Sequence, residues 1–217
     1  MNKGHHKTDN RSLGSKIALR RWLLDKMGIT DDVRVLDTCA GAGLVWSAME
    51  EHCTIKRWTR TDIKPRKDAK LTLRMEAAVA IRSLPIHEFN VVDIDPYGEP
   101  FDAYRALLLR IRKPTAVFLT HGQQSLRVLS SISHSTLEAI GLPTAWVGPI
   151  RGMTGMLDYV KDLCLSQTWS YADVKHAGMI YHRTGGCDVH YYGFALEPYP
   201  EPVTPISPLT QKRSVTV

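Results

Sequence analysis

Five short runs of β-branched and aliphatic residues recur along this chain with helical stretches between them, and that alternation restricts the fold more than any other feature. The runs are VRVL (33–36), TIKRWTRTDI (54–63, ending at Asp62), LTLRME (71–76), FNVVDID (89–95) and TAVFLT (115–120). Helical spacing fills the gaps: Ser15–Met27, with Ser15 as cap and Gly28 as stop, Leu44 to about His52, AAVAIRSL (77–84) and AYRALLLRIRK (103–113). Further helices are expected around Ser135–Ile140 and over GMLDYVKDLCLSQ (155–167). Parallel neighbours need crossover connections, so the pattern predicts an α/β fold with a mostly parallel sheet covered on both faces. Two aromatic-rich runs, 172–183 and 189–197, flank TGGCD, which is hairpin turn chemistry and adds an antiparallel edge.

With 217 residues, 43% of them hydrophobic, the chain can bury one sizeable core, and one domain is expected. The expected division is a basic arm at 1–14, a folded domain at 15–197 and an extended or disordered tail at 198–217, where proline and threonine recur without helical period. Neither a membrane span nor a secretory leader is expected, since no apolar run reaches eighteen residues and MNKGHHKTDNRS has no apolar signal core. A cytoplasmic protein is the expectation. Cys39, Cys53, Cys164 and Cys187 form no CxxC pair and read as reduced thiols.

The formal charge of +6 is unevenly spread. Eight basic residues (Lys56, Arg57, Arg60, Lys64, Arg66, Lys67, Lys70, Arg74) stand against two acids between 56 and 74, and a second set (Lys3, Lys7, Arg11, Lys16, Arg20, Arg21) lies near the start. Clusters of this kind favour a nucleic-acid partner over a merely solvated face.

Asp37-Thr38-Cys39-Ala40-Gly41-Ala42-Gly43 follows the first strand and opens a helix. Its two glycines let the backbone approach a ligand, and a helix start offers unpaired N–H groups. Asp62 ends the second strand, where an acid accepts hydrogen bonds from ribose hydroxyls, so a nucleoside-containing cofactor is expected. The turn lacks the third glycine of G-x-G-x-x-G, with Trp46 in its place, which disfavours a dinucleotide. The fourth strand ends in two carboxylates, Asp93 and Asp95, then Pro96-Tyr97-Gly98. An exocyclic amine on a base is a poor nucleophile, and a site for it needs hydrogen-bond acceptors at the nitrogen and an aromatic against the base plane. Asp95, Pro96 and Tyr97 have those parts in that order.

VLDTCAGAG resembles the first motif of the class I S-adenosylmethionine-dependent methyltransferases, and the terminal hairpin resembles that family's sixth and seventh strands. The resemblance implies a Rossmann-like, seven-stranded sheet and S-adenosylmethionine as cofactor, held by Asp37, Cys39, Gly41, Gly43, Asp62 and, near the adenosine, Glu76. DIDPYGEP is similar to the D-P-P-Y motif of amino-methyltransferases, and closer to the DPFGSP stretch of the tRNA (guanine-N2) dimethyltransferases. Two departures are that one proline follows Asp95, and that Glu99 stands where the tRNA family has serine. The resemblance implies that Asp95 accepts hydrogen bonds from the target amine, that Tyr97 stacks the base, and that Asp93 orients the loop or cofactor. NRSL is similar to the N-R-D stretch of the tRNA enzymes, and LGSK to a cofactor-contacting segment of DNA adenine methyltransferases; either places Arg11 or Lys16 near the cofactor carboxylate. The resemblance spans about residues 10 to 197, without that tRNA family's large C-terminal RNA-binding domain. Substrate positioning is then expected from the basic loop, the 121–151 segment, or a partner such as an accessory subunit or a second copy.

The expected function is methyl transfer to an exocyclic amine of a nucleic-acid base, with RNA favoured over DNA adenine or cytosine. A non-catalytic nucleic-acid-binding module and a nicotinamide oxidoreductase are the alternatives, and the latter leaves Asp95-Pro96-Tyr97 unexplained. His176, His182, Cys187 and His190 read as packing or surface residues, because His176 and His182 lie roughly 20 Å apart along a strand. No metal is expected.

Overall fold

The computed structural model describes residues 12–65, 71–96, 99–123, 165–184 and 187–200. The expected helix at 135–140, nearly all of that at 155–167, the arm before Ser12 and the tail from 201 lie outside the described residues.

The chain runs α1 (Leu13–Met27), β1 (Val33–Asp37), α2 (Leu44–Met49), β2 (Ile55–Asp62), β3 (Thr72–Arg74), α3 (Ala77–Ser83), β4 (Val91–Ile94), α4 (Phe101–Leu108), β5 (Thr115–Gln123), β6 (Ala172–Thr184) and β7 (Cys187–Pro198). The seven strands form one sheet in the order β3-β2-β1-β4-β5-β7-β6. The first five are parallel, and β7 is antiparallel to both its neighbours. The order reverses between β1 and β4, and the carboxyl ends flanking such a reversal are where open α/β sheets form their ligand crevice.

All the expected strands are present, while several helix boundaries move. α1 starts two residues before Ser15, and Ser12 holds the cap position without a side-chain capping bond. Its end is as expected: Gly28 is left-handed (φ 64°) and its N–H bonds the Asp25 carbonyl. α2 stops at Met49, and α4 begins at Phe101, directly after Pro100, and ends at Leu108. An unanticipated 3₁₀ turn, Ile86–Glu88, leads into β4.

The alternation of strand residues makes two cores. On one face α1 and α2 cover Val33, Val35, Val91, Phe118 and Tyr191. On the other, α3 and α4 cover Leu36, Val92, Ile94, Val117 and Tyr192. α1 seats Leu19, Leu23 and Leu24 in the first core, and it lies close to the sheet because Gly178 and Gly193 face each other across β6 and β7. A Cβ on Gly178 would come within 2.7 Å of the Trp22 ring and 3.0 Å of Leu19.

Leu23 is fully buried at the centre of the α1 contact. Leu23→Ala is expected to cost about 2–5 kcal/mol of unfolding free energy, read as a lower denaturation midpoint at unchanged slope.

Candidate active site

The turn after β1 is shaped by its glycines. Gly41 (φ 50°) and Gly43 (φ 72°) both take left-handed backbone that other residues enter only with strain. The two serve different purposes. A Cβ on Gly43 would lie 2.7 Å from Arg60 Nη2 and 3.0 Å from the Trp58 ring, so that position is packed from below. A Cβ on Gly41 would meet nothing within 4 Å, so the turn opens upward there. Arg60 itself is buried, with its guanidinium 4.8 Å from the Trp58 ring centroid and Nη2 3.4 Å from the Gly41 carbonyl oxygen.

Asp62, at the end of β2, pins the turn. Its Oδ2 accepts from Gly41 N at 2.9 Å and its Oδ1 from Lys64 N at 2.7 Å. Each carboxylate oxygen can accept more than one hydrogen bond, so Asp62 keeps capacity for a ligand hydroxyl. Glu76 is exposed, two residues past β3 at the head of α3, and makes no capping bond.

β1 and β4 bring the glycine turn and the Asp95-Pro96 turn side by side. Asp37 and Asp93 are register partners, and Thr38 donates to the Asp93 carbonyl through both its N–H and its hydroxyl, each at 2.9 Å. Asp37, Asp93 and Asp95 then share the face covered by α1, which answers with Lys16 and Arg20, one helical turn apart. Arg20 donates to Asp93 Oδ2 from Nε (2.9 Å) and Nη2 (2.6 Å), and Trp46 Nε1 adds a third bond to the same oxygen at 2.7 Å. The Arg20 guanidinium also lies over Phe118, 4.9 Å from the ring centroid. Lys16 Nζ pairs with Asp95 Oδ2 and sits 5.2 Å from the centroid of the Tyr191 ring.

Among the described residues, three carboxyls and two cations meet here. Burial pushes the Asp37 carboxyl well above its ordinary value, Asp93 and Asp95 push it further, and Arg20 only partly opposes them. Cys39, beside it, has its thiol pushed up by burial and is a neutral thiol rather than a nucleophile.

Of the residues singled out from sequence, Lys16, Asp37, Cys39, Gly41, Gly43, Asp62, Asp95 and Pro96 gather around the crevice, with Glu76 at its outer margin. Lys16 is paired with Asp95. Arg11 and Tyr97 lie outside the described residues. Arg20, Trp46 and Arg60 were missed as site residues. Arg20 and Arg60 belong to the basic sets of the sequence, yet one is closed on Asp93 and the other lies under the glycine turn. Arg57 is likewise engaged, paired with Glu88 and lying over Phe89. The four-residue step from Lys16 to Arg20, matched by the two-residue step from Asp93 to Asp95, was the signal that could have found Arg20. Among the described residues no three His, Cys, Asp or Glu side chains group to hold a metal.

This sheet order with its reversed β7, and with the glycine turn and the acidic turn on adjacent strands, defines the class I S-adenosylmethionine-dependent methyltransferase fold. Solved structures with that architecture match the chain. The plantazolicin methyltransferase BamL, bound to a desmethyl analogue and SAH, aligns over 88% of this chain and 86% of its own at TM-score 0.50 and 8% identity. A putative hemolysin from Streptococcus thermophilus aligns over 88% of this chain and 69% of its own at 0.51 and 12% identity. Trm1 from Pyrococcus horikoshii, in complex with S-adenosyl-L-methionine, aligns over 92% of this chain and 66% of its own at 0.49 and 12% identity. The sequence matches no protein-family model and no curated protein.

Replacing Arg20 by methionine leaves Asp93 buried without its counter-charge, and is expected to destabilise the fold by about 3–5 kcal/mol in denaturant unfolding. Asp37 gives a pH signature. Its folded-state proton affinity is raised, so the stability it contributes is complete below the ordinary value of 3.8 and is lost as pH rises through the folded value. Asp37→Asn should therefore melt above wild type at pH 7, with the gap closing as pH falls toward 3.8; a gap that stayed constant with pH would contradict this.

Proposed function

We propose that this chain is an S-adenosylmethionine-dependent methyltransferase acting on an exocyclic amine of a nucleic-acid base, with RNA favoured over DNA. The observation that carries the reading is the pairing of β1 with β4, which sets the glycine turn and Asp95 at the ends of adjacent strands, tied together by Thr38. A donor site and an acceptor site on neighbouring turns are what a direct transfer between two bound molecules requires.

The residues present fit the cofactor. The open position at Gly41 admits a ligand against the backbone, and Asp62 retains acceptor capacity for ribose hydroxyls. When bound, S-adenosylmethionine supplies an electrophilic methyl group on a sulfonium. The chain's own part is orientation and electrostatics. Asp95, beyond the last residue of β4 and partly exposed, accepts an N–H of the amine and so directs the nitrogen lone pair away from itself. Its negative charge then opposes the positive charge that builds on the nitrogen as the new bond forms. Pro96 fixes the backbone after it. Tyr97 is the aromatic proposed to stack the base.

The preference for a nucleic acid rests on basic residues at the same end of the sheet. Lys64 and Arg74 are exposed beside Asp62, at the carboxyl ends of β2 and β3, where a phosphate backbone would pass. No helix among the described residues is long and apolar enough to cross a membrane.

The test is incubation with methyl-labelled S-adenosylmethionine and either RNA or DNA, followed by nucleoside analysis. The expected product is an N-methylated base from RNA, and label in neither polymer would overturn the reading. Asp95→Ala is expected to lower kcat by about 10² or more while S-adenosylmethionine still binds at wild-type affinity in calorimetry.

A further inference from the structure

The two cations of α1 have different surroundings. Arg20 and Asp93 are 2% and 3% exposed and closed by Trp46, which makes them a fixed anchor. Lys16 and Asp95 are 16% and 23% exposed and stand at the mouth of the crevice. The anchor settles where α1 lies, and Lys16, one turn toward the N-terminus, is thereby aimed at the strand end. Asp95 lacks such support from its own backbone, because β4 ends at Ile94. A side chain so placed samples several rotamers unless something holds it.

We propose that Lys16 is a positioning residue for methyl transfer, holding Asp95 Oδ2 so that Oδ1 remains as the acceptor for the target amine, with the Tyr191 ring as the seat for the ammonium group. The role rests on the function proposed above and departs from a lysine reserved for the cofactor carboxylate. A lysine has four rotatable bonds and is a poor fixed point by itself. Here its stem leaves a helix whose next turn is anchored by Arg20, and its head rests against a buried aromatic face. The pair therefore orders Asp95 before any substrate arrives, which is where orientation contributes to rate.

The experiment compares wild type, Lys16→Met and Lys16→Arg. Methionine keeps the stem and removes the charge, whereas arginine keeps a donor to Asp95. Lys16→Met should lower kcat by about 10²-fold with S-adenosylmethionine affinity unchanged in calorimetry, and Lys16→Arg should recover much of that loss. A tenfold or greater loss of cofactor affinity with kcat retained would instead assign Lys16 to the cofactor and overturn the proposal. So would an unchanged or raised kcat in Lys16→Met. A second measurement needs no activity: in a double-mutant cycle on melting temperature, the shifts of Lys16→Met and Asp95→Asn should fail to add, and additive shifts would show that the two side chains are not coupled. Absence of methyl transfer by the wild-type protein overturns the functional reading itself, and the role with it; loss of the role alone appears as an active wild type with an equally active Lys16→Met.

Discussion

The buried ion pair between Arg20 and Asp93 is the interaction on which the site depends. Two desolvated charges are held at one carboxylate oxygen that receives three donors, two from the guanidinium and one from Trp46. A buried pair of this kind adds little net stability over an apolar contact of the same volume, but breaking it is costly, so it specifies position more than it adds strength. What it specifies is the seat of α1 across the ends of β1 and β4. The side-by-side placement of glycine turn and acidic turn would exist without the helix. The electrostatic setting of Asp95 would not, because its counter-charge comes from the same helical face.

The same cluster accounts for the behaviour of Asp37. Three carboxyls share two adjacent strand ends; Asp93 is paired with Arg20 and Asp95 with Lys16, and burial together with these two neighbours raises the proton affinity of Asp37. Burial and charge number, rather than any special residue, divide the roles among three chemically identical side chains.

Much of this was legible in the sequence. Period-two apolar runs, each followed by small or turn-forming residues, mark the strands, and the strand-end aspartates mark the crevice. The hairpin was legible from its turn, but not its placement, since nothing local in residues 172–198 says that β7 enters the sheet between β5 and β6. Charge was the weakest guide. Arg20, Arg57 and Arg60 counted equally toward a basic footprint, although a long apolar stem lets arginine sit deep wherever a carboxylate or aromatic ring receives the head. The shift of the α1 start from Ser15 to Leu13 has a related cause: Ser12 holds the cap position by backbone geometry and not through its side chain, so the residue type was no signal.

Gly178 and Gly193 lie toward the other edge of the sheet from the glycine turn, yet they bear on the helix that reaches it. By omitting two side chains they let Leu19 pack directly on the strand backbone while the edge of the more exposed Trp22 ring lies over Gly178, so α1 sits close to the sheet. A methyl group at 178 would press first on the Trp22 ring edge and the tip of Leu19, and the displacement those side chains do not absorb would be carried by the same helix to Lys16 and Arg20.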